Sequence, residues 1–200
     1  MFRRCLQRPR RPDKSLKTTG PEPGFERCNA GKRVKFNLID KIEHLDDQRI
    51  VGVKHVSLAE EYLADHFPTF PVLPGVMMLE AVTQAAAWLM HHRQGFAKPM
   101  AVLRDARNVK YGTFVAPGNF LRVDVQWIKD TEGGATFKAA GSVNDATALQ
   151  ARIELAYFSL GERHAGLAHL DSRLIEHNRR RWDLIKPSEL STPALVAESR

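Results

Sequence analysis

Two residues fourteen positions apart, His66 and Glu80, carry the clearest chemistry in this sequence. Glu80 is a lone carboxylate between Leu79 and Ala81 in a segment that is otherwise apolar. Burying an ionised carboxyl is costly, so a buried one keeps its proton to higher pH and can act as an acid near neutrality. His66 stands in the loop that feeds this segment, and imidazole is the usual general base at neutral pH. Each residue also has a plainer reading. Thr83 or Gln84, one turn on, can satisfy Glu80, or Glu80 can face a subunit contact; a loop histidine can be surface decoration. Gly75 lies between the two. If a helix starts there, its first amides are unpaired and sit at the positive end of the dipole, and a glycine lets an oxygen come close. The Gly75 amide can then polarise a carbonyl. After Pro74 it can equally be a tight turn.

The elements around these residues follow from pattern. Pro68, Pro71 and Pro74 mark a loop that neither a helix nor a central strand tolerates. From Gly75 to Met90 the chain is rich in helix formers and apolar on nearly every face, which predicts a helix surrounded by protein. The run is shorter than the roughly 20 residues a bilayer span needs, and it carries a charge. Strand-like stretches are expected at 36–45 and 49–56 before the helix, and at 100–110, 120–129, 135–142 and 148–160 after it. Turn residues separate them at 46–48, 117–119, 130–134 and 143–145. In the fourth of these strands, Leu121, Val123, Val125 and Trp127 alternate with Phe120, Arg122, Asp124 and Gln126, which signals one packed face and one wetter face. Two strands, an apolar helix and four strands predict an α+β fold, a curved antiparallel sheet wrapped around a long central helix.

The length suits one domain with tails. Hydrophobic residues make up 43% and charged residues 26%, both ordinary for a globular chain. The net charge of +7 suggests a nucleic-acid partner until its distribution is read. Residues 1–33 hold ten Lys/Arg against three Asp/Glu, whereas residues 34–160 hold thirteen against fourteen and residues 161–200 seven against six. The surplus sits in the leading segment, so nucleic acid is not expected as a partner. That segment, with Pro9, Pro12, Pro21 and Pro23, lacks a signal-peptide core and reads as a basic disordered extension; translation starting near Val34 is a variant of the same reading. Cys5 and Cys28 both fall in it without metal-ligand spacing, which favours a reducing compartment. Residues 34–160 form the expected domain, and 161–200 a C-terminal helical arm and tail. Leu167, Leu170, Leu174, Ile175 and Asn178 fit one face of that arm. Arg179-Arg-Arg181 reads as a solvated helix end or a docking patch.

The stretch His66-Phe-Pro-Thr-Phe-Pro-Val-Leu-Pro-Gly-Val-Met-Met-Leu-Glu-Ala-Val-Thr-Gln84 resembles the H-F-P-G-x-P-x-x-P-G-V-x-x-x-E-A-x-x-Q segment of the bacterial 3-hydroxyacyl-[acyl-carrier-protein] dehydratases of the FabZ type. Residues 36–45 look like that family's first strand and Val115-Ala-Pro-Gly118 like its V-x-P-G turn. The likeness covers about residues 36–160, and glutamate at 80 is FabZ-like where the FabA branch carries aspartate. The resemblance implies a hot-dog fold acting as a homodimer or a trimer of dimers, in the cytoplasm and without a membrane span. It implies composite sites in which His66 of one subunit faces Glu80 of the other, as base and acid. Gly75 would polarise the thioester carbonyl, Phe67, Pro74 and Val76 would line the substrate, and Gln84 would support the helix. The substrate implied is a (3R)-3-hydroxyacyl chain on acyl carrier protein, dehydrated to a trans-2-enoyl thioester in fatty-acid biosynthesis. No metal or redox cofactor is implied, and the sequence offers no ligand cluster for one. Met77, Met78, Val82, Trp88 and Phe114 are the candidates for closing the acyl tunnel.

Three positions depart from the family pattern. Thr69 replaces a glycine and would be strained if that position needs positive φ. Asn119 stands where many members have aspartate, and Gly112-Thr113 where a basic pair is frequent. The rival readings are a coenzyme A-linked hydratase or dehydratase, a thioesterase, and a catalytically silent acyl-binding subunit.

Overall fold

A computed structural model of the chain describes residues 36–67 and 69–188. The basic segment 1–33, Pro68, and the last residues from 189 on, Pro193 included, lie outside the described residues.

Six strands form one antiparallel sheet in the order β1-β2-β4-β5-β6-β3. β1 (Lys41–Leu45) and β2 (Arg49–His55) make a hairpin, closed by the Asp46 carboxylate, which accepts the Gln48 and Arg49 amides at 2.7 and 2.8 Å. The first strand was expected from residue 36, but it begins at Lys41. The reason lies at Leu38, whose amide donates not to β2 but to the Gln84 side chain on the central helix. β4 (Phe120–Thr131) realises the expected alternation: Leu121, Val123, Val125 and Trp127 are buried, while Phe120, Arg122 and Gln126 face water. β5 (Gly134–Val143) and β6 (Ala146–Phe158) join through Asn144 and Asp145, both with left-handed backbone (φ 47° and 65°), as a two-residue turn matching strand twist requires. Among the described residues β3 (Met100–Tyr111) pairs with β6 alone and forms an edge of the sheet.

A short helix, α1 (Tyr62–Asp65), was not foreseen; four residues are too few to show a period. The central helix, α2 (Gly75–Arg93), packs against β2, β3, β4, β5 and β6. Its Ala81, Val82, Ala85, Ala86 and Leu89 have no exposed surface. Against them lie Leu121, Val123, Phe137, Leu149, Ile153 and Leu155 from the sheet. The sheet therefore wraps a largely apolar helix, the α+β hot-dog arrangement. After β6 come α3 (Leu160–Arg163), a 3-10 turn (Ala165–Leu167) and α4 (Ala168–Ile185). α3 starts with a capping box between Ser159 and Glu162, and Asp171 on α4 accepts the Leu160 and Gly161 amides at 2.8 and 3.0 Å. Trp182 anchors α4, buried with its ring 5.9 Å from Trp88 and from Phe96 and 5.5 Å from His92. No helix among the described residues is long and apolar enough to cross a membrane.

Candidate active site

Four chain segments converge where α2 begins. Pro74 is its N-cap residue, and the Pro74 carbonyl accepts the Met77 and Met78 amides at 2.9 and 3.1 Å. The Gly75 and Val76 amides precede them, and among the described residues no group accepts either. This is the positive end of a nineteen-residue helix with two donors free for an incoming oxygen. Gly75 is closely approached by its neighbour: a Cβ there would stand 2.9 Å from the Tyr111 ring and would have to displace it. Sequence reasoning missed Tyr111, because nothing local ties the end of β3 to a glycine thirty-six residues earlier.

The two segments that resemble the family motif meet directly. Leu73 donates its amide to the Val115 carbonyl at 2.8 Å, and Phe70 packs edge-on against Phe114 with ring centres 5.9 Å apart. The Val115–Gly118 turn is tied in its own right: Gly118 donates to Val56, and Val56 to Asn119. Asn119 is not an idle replacement for aspartate. Its side-chain amide donates to the Ala116 carbonyl at 3.1 Å, a bond aspartate cannot make, while its oxygen accepts from Asn144. Gly112 also has a cause, since a Cβ there would lie 2.3 Å from the Thr147 carbonyl oxygen.

Glu80 lies one and a half turns into α2 and is half-buried rather than enclosed. Gln84 donates to its Oε1 at 2.9 Å. The Gln84 oxygen is occupied by the Leu38 amide at 2.9 Å, so its NH₂ must face Glu80. Thr83, the other expected partner, instead donates to the Leu79 carbonyl at 2.9 Å. His66 closes α1, its amide donating to Tyr62 at 3.1 Å, and its half-buried ring lies 4.3 Å from the Phe67 ring. Phe67 is exposed and has φ +51°, a strained state for a bulky residue. Phe67 thus takes left-handed backbone in this loop, and Thr69 beyond it is exposed. Lys54, buried on β2, reaches Glu60 at 2.5 Å and Asp40 at 3.7 Å and pins the chain just before α1. A lone strand lysine gave no signal of that role. Among the described residues no hydrogen bond or ion pair joins His66 to Glu80 within the chain, and none forms a metal-binding cluster.

The model of the FabA-like domain matches residues 31–152. A 3-hydroxyacyl-[acyl-carrier-protein] dehydratase FabZ of Solibacter usitatus is 34% identical over 122 residues, 60% of this chain and 75% of that protein. Its counterpart in Clostridium perfringens is 33% identical over 125 residues, 62% of this chain and 89% of that protein. Among solved structures, the dehydratase heterocomplex ApeI:P of Xenorhabdus doucetiae contains a chain that superposes with a TM-score of 0.55 at 17% identity, covering 66% of this chain and 89% of that one, a likeness of fold. With the family model matched over more than half its length, and with relatives above 30% identity aligned over three quarters or more of their own, the chain belongs to the FabA-like family and is FabZ-like within it.

Proposed function

We propose that this chain is a dehydratase that converts (3R)-3-hydroxyacyl thioesters, carried on acyl carrier protein, to trans-2-enoyl thioesters in the cytoplasm during fatty-acid biosynthesis. The observation that carries the reading is the pair of amides, Gly75 and Val76, that have no partner among the described residues at the start of the helix that bears Glu80. An oxygen held there gains negative character as the neighbouring carbon loses a proton. Neutral His66 takes that proton from C2. Electrons of the broken C–H bond form the C2–C3 double bond, and protonated Glu80 delivers its proton to the departing 3-hydroxyl, which leaves as water. His66 ends protonated and Glu80 ionised; exchange with water resets both. Phe67, Pro74 and Val76 border the acceptor site, and Gln84 holds the Glu80 carboxyl in place.

The acid and base come from two subunits in this proposal, in a homodimer that can further assemble as a trimer of dimers. Two features support it: the absence of a bond between His66 and Glu80 within the described chain, and the free edge of β3. An edge of 12 residues is a ready template for strand pairing. Phe67, Phe70, Val76 and Phe114 are exposed in the single chain, and a patch of that kind marks an interface.

The test is hydration of crotonyl-carrier protein by the purified full chain, followed as loss of enoyl absorbance, with crotonyl-coenzyme A and free-thiol release as parallel readings. Wild type should hydrate the carrier-linked substrate without releasing thiol. His66→Ala and Glu80→Gln should each lose roughly 10²–10⁴-fold in kcat while keeping the wild-type circular dichroism spectrum. Wild-type turnover in either variant removes that residue from the mechanism, and thiol release without enoyl chemistry replaces dehydration with hydrolysis.

A further inference from the structure

A cavity of about 260 Å³ lies between the second half of α2, the start of β3 and α4. Gln84, whose amide holds Glu80, and Arg181 on α4 both line it. Glu80, Gln84, Trp88 and His91 follow one another at spacings of four, four and three, so they share one face of α2. From the first to the last that face runs about 16 Å at 1.5 Å per residue. Of the expected tunnel-closing residues, Trp88 lines this cavity, with Met100 and Leu174 as further apolar wall. The α4 side of the wall also carries polar groups. Asn178 and Arg181 line it, and Asn178 is fixed by donating to the Pro99 carbonyl at 3.0 Å.

Arg181 is the group left over. Its neighbours are accounted for: Arg180 pairs with Glu176, and Arg179 reaches the Gly95 carbonyl. Arg181 stands half-buried 5.4 Å from the centre of the Trp88 ring, and among the described residues no carboxylate pairs with it. Burial pulls its guanidinium below the ordinary arginine range, the direction expected of a cation deprived of water without an anion in return.

We propose that this cavity receives the far end of the acyl chain and selects a chain that ends in a carboxylate, with Arg181 as its counter-ion. The proposal rests on the dehydratase reading above. Methylene carbons lie along Trp88, Met100 and Leu174, and the terminal carboxylate meets the guanidinium, whose planar fork matches it in two hydrogen bonds. A methyl end in the same place would leave the cation unpaired and partly dehydrated.

The experiment compares kcat/KM for two enoyl thioesters of equal length, one ending in a methyl group and one in a carboxylate, with crotonyl thioester as a substrate too short to reach the cavity. Full-length wild type should favour the carboxylate-ended chain by about tenfold, the usual size of a charged hydrogen bond gained. Arg181→Gln should erase that preference and Arg181→Lys should keep part of it. The ratio of the two substrates is read in each protein, so a variant that folds poorly and lowers both rates alike does not mimic the effect. Equal rates in wild type, or a ratio unchanged in Arg181→Gln, overturn the proposal while leaving the dehydratase reading in place. Failure to hydrate even the crotonyl thioester overturns that reading, and this inference with it.

Discussion

His91 shows how much one buried ring can set. It stands on α2 with its ring stacked 5.5 Å from Phe96, 5.9 Å from Trp88 and 5.4 Å from Tyr157, whose hydroxyl lies 3.4 Å from its Nδ1. Burial pushes its pKa from 6.5 down to about 4, because the charged form is denied water and faces no carboxylate. The unfolded chain therefore takes up a proton near pH 6.5 while the folded chain refuses it until about pH 4. Stability from this residue is complete above pH 6.5 and falls as the pH drops through that window, by roughly 3 kcal/mol in all. His91→Phe, which keeps a ring against Phe96, should lose this part of the acid sensitivity. Urea midpoints at pH 7.5 and pH 4.5 should lie closer together in the variant than in wild type; an unchanged gap would place the acid sensitivity elsewhere. Nothing in the sequence marked His91, since one histidine in an apolar helix looks the same whether it faces water or the core. Glu80 stands out as a candidate for the opposite reason, a carboxylate being conspicuous wherever the surroundings are apolar. What could not be read was its partner: Thr83 and Gln84 stood equal until Leu38 left the sheet to bond Gln84.

The elements were legible where period and punctuation agreed. β4 alternates cleanly, the helix of α2 is unmistakable once three prolines end, and the turn at Asn144-Asp145 has the residues that left-handed backbone tolerates. The misreadings came where a long-range bond decides a boundary, as at Leu38, or where an element is too short to have a period, as in α1. α4 lies between these cases. Leu174, Ile175 and Asn178 gave its face, yet the residue that anchors it is Trp182, because only the fold brings it against Trp88, His92 and Phe96. No other residue of α4 is buried. Trp182→Ala should therefore release α4 as a unit. A buried tryptophan cut to alanine costs about 3–5 kcal/mol, more than a surface helix of this polarity gains alone. Hydrogen exchange should show α4 amides losing protection while those of β4, β5 and β6 keep theirs. If the sheet loses protection in step with the helix, α4 is part of one cooperative unit with it.

At the scale of the molecule the decisive feature, among the described residues, is a sheet that ends in a strand paired on one side only, beside an incomplete acid–base pair. β3 offers 12 residues of free edge, and the exposed aromatics at the start of α2 lie at the same end as the loop bearing His66. If two copies pair so that His66 of one meets Glu80 of the other, the two inactive variants must rescue one another. A dimer of one His66→Ala chain and one Glu80→Gln chain contains one site with both wild-type residues and one with neither. Random pairing makes half the dimers mixed, and each mixed dimer has half its sites intact. Co-expressed or co-refolded variants should thus recover about a quarter of wild-type turnover, as two-fold symmetry demands. The separately purified variants, mixed without exchange of subunits, should recover none. If the co-refolded mixture stays inactive although gel filtration shows mixed dimers, each site draws both residues from one chain. His66 and Glu80 would then have to come together by a movement of the Phe67–Pro74 loop, and the strain at Phe67 would be the place to look for it.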